Sequence, residues 1–63
     1  MNNRRDFIEI FPIHNRTGYQ VIQTDTGYSV EVYDRKDNSA VVVKTFDVHN
    51  RLAAISFAQT RSI

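Results

Sequence analysis

Residues 19–46 constrain this chain more than any other part of it. Apolar and polar side chains alternate there with the two-residue period of a strand, in runs separated by turn-forming residues. The first run is Tyr19-Gln20-Val21-Ile22-Gln23-Thr24 and the second is Tyr28-Ser29-Val30-Glu31-Val32-Tyr33. Between them, Asp25-Thr26-Gly27 has the length and the glycine of a tight hairpin, in which a residue without a Cβ takes a positive φ freely. In the second run Tyr28, Val30 and Val32 share one face while Ser29, Glu31 and Tyr33 share the other. That parity predicts a core face and a solvated polar face, with Tyr33 exposed on the latter.

The flanking segments extend this pattern into a fold. Phe7-Ile8-Glu9-Ile10-Phe11-Pro12-Ile13 is strand-like, and because Pro12 cannot donate to a ladder it is an edge strand or one that ends near residue 11. His14-Asn15-Arg16-Thr17-Gly18 is a polar loop, and Asp34-Arg35-Lys36-Asp37-Asn38-Ser39 is a turn rich in side chains that bond their own backbone. Ala40-Val41-Val42-Val43-Lys44-Thr45-Phe46 is β-branched and apolar on both parities up to Lys44, which predicts a central or doubly covered strand. Asp47 is placed to cap a helix over residues 48–60. At 100° per residue that helix turns Arg51, Ala54, Ile55 and Ala58 inward, with Val48 and Leu52 at one margin and Phe57 at the other. The predicted fold is α+β, a three- or four-stranded antiparallel meander with one C-terminal helix on one face. A single domain spans residues 1–63, with residues 1–5 expected to be disordered.

Composition then removes several classes of function. A chain of 63 residues buries only ~60% of the surface its unfolded form exposes, so its stability margin is small. It has no cysteine, and His14 and His49 stand far apart, so neither a disulfide nor a zinc site evident in the sequence reinforces it. Self-association is the remaining reinforcement. No long apolar segment follows Met1-Asn2-Asn3-Arg4-Arg5, which makes the cytoplasm the expected compartment. No uninterrupted apolar run exceeds the four residues of Ala40 to Val43, far short of the ~20 residues that cross a bilayer. Eight Lys/Arg against seven Asp/Glu, interspersed in sign, argue against non-specific binding of duplex nucleic acid and against mimicry of it.

Each residue type with chemical potential has a structural reading beside it. Asp47 and His49 are close in sequence, but no third ligand accompanies them and helix capping explains the aspartate; no metal or cofactor is expected. His14 reads as a solvated loop residue. Asn15-Arg16-Thr17 fits an N-glycosylation acceptor, a pattern that matters only in an exported chain. Arg4, Arg5, Arg16, Arg35 and Lys36, with Tyr33 as a stacking ring, would form a nucleic-acid surface if their loops met at one end of the sheet. Phe57, at the edge of the buried arc of the helix, is either core or an exposed anchor for a partner or a second copy.

The hairpin, the β-branched strand ending in Thr45-Phe46-Asp47, and the helix containing Leu52-Ala53-Ala54-Ile55-Ser56-Phe57-Ala58 together resemble small accessory proteins of bacteriophages and mobile elements. Among these are inhibitors of host defence and transcription, including anti-CRISPR proteins. The resemblance covers residues 19–60, is one of shape and spacing, and transfers no functional residue. It implies a non-catalytic module that binds a larger host complex, such as a defence nuclease system, and acts by steric or allosteric occupancy. Phe57, Tyr33, Arg35, Lys36 and Arg16 are the candidate contact residues for such a protein partner, and a homodimer is compatible with the same surfaces. The alternative is a small nucleic-acid-binding regulator that uses the basic loops.

Overall fold

The computed structural model describes residues 5–63. Four strands, β1 (Asp6–Pro12), β2 (Thr17–Thr24), β3 (Gly27–Asp34) and β4 (Ser39–Asp47), form one antiparallel sheet in the order β1-β2-β3-β4, and the helix α1 (Arg51–Arg61) packs on it. The expected α+β meander with one C-terminal helix is therefore the observed fold, with four strands. The disorder expected of residues 1–4 lies outside the described residues. Arg5, included in that expectation, is described and its guanidinium donates to the Glu31 carboxylate.

The hairpin sets the register. The Asp25-Thr26 turn leaves Thr24 opposite Gly27, which places Val21 opposite Val30 on one face and Gln20 opposite Glu31 on the other. Gly27 has φ 152°, and a Cβ there would run into the carbonyl oxygen of Phe46 on β4. Val21, Tyr28 and Val30 pack with Ala54 and Ala58 of α1 as the buried core, surrounded by partly buried Ile8, Phe11, Tyr19, Phe46, Ile55 and Phe57. The helix lies mainly over β2 and β3. Ala54 and Ala58 are fully buried, as the inward arc requires, whereas Leu52 and Val48 stay exposed.

Two expectations are corrected here. Asp47 does not cap the helix. It ends β4 opposite Gly27, its Oδ1 accepts the His49 N–H at 2.8 Å and its carbonyl accepts the Asn50 N–H at 3.1 Å. A strand that pairs as far as Asp47 needs a turn before the chain can double back over the sheet, so α1 starts at Arg51 and not at Val48. Asn50 is its N-cap, with no capping bond from its side chain. At the other end the Ser62 N–H reaches the carbonyls of Ala58 and Gln59 and closes the last turn.

The second correction concerns β4, which is an edge strand and not a central or doubly covered one. Among the described residues it pairs with β3 alone, and residues 39–45 are exposed. The apolar run predicts burial, but the last strand of a sequential meander has a neighbour on one side only. The single helix sits over the middle of the sheet.

Candidate docking surface

The exposed edge of β4 carries the largest run of uncovered apolar side chains in the described residues. Val41 is 63% exposed, Val42 52% and Val43 45%. Val30 faces Lys44 and Glu31 faces Val42, so Val43 is an extra residue, a bulge that divides β4 into a regular first half and a more twisted second half. Beyond these side chains lies the outer edge of the strand, a row of backbone groups with no strand neighbour among the described residues, the template to which another extended chain adds.

The face of the sheet opposite α1 is not the solvated polar face that parity predicts. Ser29, Glu31 and Tyr33 are all buried, as is Gln20 beside them. Tyr33 is therefore corrected from an exposed ring to a buried one. Glu31 is the hub of the hydrogen bonds on this face. One Nη of Arg5 donates to both carboxylate oxygens at 3.0 Å, Gln20 Nε2 donates to Oε1 at 2.8 Å and the Ser29 hydroxyl donates to Oε2 at 3.3 Å. Burial pushes the Glu31 carboxyl up, but the hydrogen bonds from Arg5, Gln20 and Ser29 and the charge of Arg5 outweigh it and hold the group below the usual carboxylate range. The bond to Glu31, then its charge, raise the Arg5 guanidinium in turn. Among the described residues every buried side-chain polar atom has a partner. This cluster is an internal clamp, since it offers no free group to a substrate.

Beside the clamp, Phe7, Ile10, Tyr33, Arg35, Asn38 and Ala40 are among the residues that line an open cleft of about 330 Å³. The Arg35 guanidinium sits 5.7 Å from the centre of the Tyr33 ring. The Arg35 N–H donates to the Arg16 carbonyl at 2.7 Å, which brings the two loops together at one end of the sheet with both arginine side chains exposed. Lys36 is exposed on the same turn, its N–H bonded to Asp34 Oδ1 at 2.9 Å. Arg16, Tyr33, Arg35 and Lys36 thus share one end of the molecule. Arg4, proposed with them for the nucleic-acid surface, lies outside the described residues, and Arg5 is committed to Glu31.

Phe57 stands apart from them, over the other face. Its ring meets Phe46 edge-on, with centroids 5.7 Å apart and planes at 65°, while the Arg61 guanidinium covers it at 4.3 Å. Lys44 lies 5.9 Å from the Phe46 ring. Phe57 is half-buried, so it is neither the wholly internal residue nor the bare anchor that the sequence offers as alternatives. The five candidate contact residues divide between two faces and do not form one site.

The exposure of Val41, Val42 and Val43 is the feature the sequence reading missed. The signal was available, since a fourth strand in a sequential meander has to be an edge. The Glu31 clamp was legible only in part: the hairpin register pairs Gln20 with Glu31, but nothing in the sequence pairs either with Arg5.

Among the described residues no group of three or more His, Cys, Asp or Glu is arranged to hold a metal ion, and no helix is long and apolar enough to cross a membrane. No protein-family model matches the chain, and comparison with curated proteins and with solved structures finds no similar protein.

Proposed function

We propose that this chain is a non-catalytic protein-binding module that receives an extended segment of its partner along the free edge of β4, and that it acts by occupying a surface of a larger complex. One observation carries the reading: β4 presents three consecutive exposed valines next to an unpaired backbone edge. Main-chain bonds supply affinity in such a mode and the flanking side chains supply selectivity. A host-takeover or host-defence inhibitor of the anti-CRISPR kind is the biological setting that the shape resemblance suggests.

The alternative, a nucleic-acid regulator, would use Arg16, Arg35 and Lys36 at one end of the sheet. Asp34 and Asp37 belong to the same turn and offset much of that charge. Site-specific photo-cross-linking in cells that express the protein separates the readings. A cross-linker at position 42 is expected to capture a distinct protein, and one at position 52 on the exposed side of α1 is not. Capture from position 52 alone, or RNA and DNA adducts from position 35, would overturn the strand-edge reading.

A further inference from the structure

The two edges of the sheet are finished differently. β1 carries Asp6, Glu9, a bulge between Phe7 and Glu9, and Pro12, four devices that discourage another strand from adding. On β4 the corresponding devices, the bulge at Val43 and the charge of Lys44, are confined to the second half. Residues 39–42 run in unbroken register with β3, from Ser39 opposite Asp34 to Val42 opposite Glu31. This half has no charge and no proline, and among the described residues no element covers it.

We propose that the strand received by β4 is the β4 of a second copy of this chain, paired antiparallel about a two-fold axis that passes at Val41. The inference rests on reading β4 as the docking edge and adds to it the identity of the occupant. A two-fold pairing needs a segment that is compatible with its own reversal. About Val41 that condition is met. Val41 faces itself, Ala40 faces Val42 of the second copy and Ser39 faces Val43 of the second copy, so every opposed pair joins small or β-branched side chains. Lys44 comes opposite Asn38 of the second copy, which keeps the two lysines from meeting. Centring the axis on Val42 instead brings the Val43 bulge next to the axis, opposite Val41, and sets Lys44 opposite Ala40, whereas about Val41 the bulge residue falls only at the outer end of the pairing. Val41 is also the most exposed of the three valines, so it is the one with most to gain.

The axis stands perpendicular to the sheet, so both copies of α1 come to lie on the same side of an eight-stranded sheet. The groove beside Lys44, Phe46, Phe57 and Arg61 borders β4 in each copy. Five residues from each strand make a small interface, so the association is reversible and a partner's strand can displace the second copy. Self-pairing then covers an edge that would otherwise promote aggregation, and does so reversibly.

Sedimentation equilibrium from about 1 μM to about 1 mM tests this. The wild-type mass should rise from 7.3 kDa toward twice that value. Val41→Lys and Val41→Glu, each checked for folding by circular dichroism, should weaken association at least about tenfold, because each sets a charge against its own copy. Mixing the two variants should restore the dimer, since residue 41 of one copy then meets the opposite charge in the other. A wild-type chain that stays monomeric over the whole range overturns the proposal, as do variants that dimerise like wild type, or a mixture that does not recover. Cross-links from position 42 to an unrelated protein would still stand in the first of these cases, so failure of self-pairing is distinguishable from failure of the docking edge.

Discussion

Arg5 holds Glu31 through one guanidinium nitrogen placed 3.0 Å from each carboxylate oxygen, so a residue that precedes β1 fixes the centre of β3. The contact crosses the face of the sheet that α1 leaves uncovered. Glu31 is only 2% exposed while the Arg5 side chain is 52% exposed, and this asymmetry decides which partner matters more. Glu31→Ala strands the Gln20 and Ser29 donors and opens a void in the middle of the sheet, with an expected loss of about 2–3 kcal/mol. Arg5→Ala lets water replace a donor that was already half-solvated, and should cost about 1 kcal/mol. Urea denaturation of both single variants and of the pair measures the two costs and their coupling. A larger loss for Arg5→Ala than for Glu31→Ala would show that the arginine, through packing or charge, dominates this face.

The same clamp makes a prediction for acid. The Glu31 carboxyl is held low in the folded chain, against about 4.3 in an unfolded one. Between these two values the unfolded chain binds the extra proton, so stability rises with pH across that window. The contribution of Glu31 is thus complete above about pH 4.3 and is lost as pH falls through the lower, folded value. Urea midpoints between about pH 2.5 and pH 6 should fall more steeply with acid for wild type than for Glu31→Gln, which has no proton to gain. Parallel curves for the two proteins would remove Glu31 from the acid response.

What the sequence made legible follows from how local each determinant is. The hairpin at Asp25-Thr26-Gly27 and the alternation on either side of it depend on neighbouring residues, and they appear in the structure at the expected places. The inward arc of Arg51, Ala54, Ile55 and Ala58 locates the buried alanines correctly, although Arg51 itself is exposed. Solvation, in contrast, is a property of the whole assembly. Alternation separates Tyr33 and Glu31 from the valines, but it says nothing of Arg5 arriving from outside the hairpin to pair with Glu31, or of Arg35 lying over the Tyr33 ring. The run Ala40-Val41-Val42-Val43 shows the converse. Its β propensity predicts burial, whereas strand order leaves it at the edge.

The turn before α1 gives a smaller prediction. Because Asp47 Oδ1 bonds the His49 N–H in an exposed turn and does not cap the helix, Asp47→Ala should cost about 0.5 kcal/mol, below the ~1 kcal/mol typical of a lost N-cap. Asp47→Asn keeps an accepting oxygen and should be close to neutral. Thermal denaturation of the two variants decides this, and a loss from Asp47→Ala well above 1 kcal/mol would return the aspartate to a capping role.

Phe57 and Phe46 supply the packing of the helix margin over β4. Phe57→Ala removes a half-buried ring and its edge-on contact with Phe46, and should cost about 2 kcal/mol, less than the ~3–5 kcal/mol of a fully buried phenylalanine. A double-mutant cycle with Phe46→Leu should return a coupling of about 0.5–1.5 kcal/mol for the ring pair. Additive effects would mean that each ring packs independently of the other.

Ala54 and Ala58 set how closely the helix approaches the sheet. They lie one turn apart, both at zero exposure, against a core built from Val21, Tyr28 and Val30. A methyl group is all that fits between the helix backbone and these side chains. Ala58→Leu would need either an off-rotamer side chain or a helix lifted from β2 and β3, and overpacking of this kind costs about 1–3 kcal/mol. Ala53 is exposed on the same helix and provides the control, because Ala53→Leu has equal helix propensity and volume change without a sheet beneath it. Urea denaturation should therefore separate the two leucine variants by at least about 1 kcal/mol. If both variants unfold with the wild-type midpoint, the helix is not held at close range by its alanines, and the small residues at 54 and 58 have no packing role.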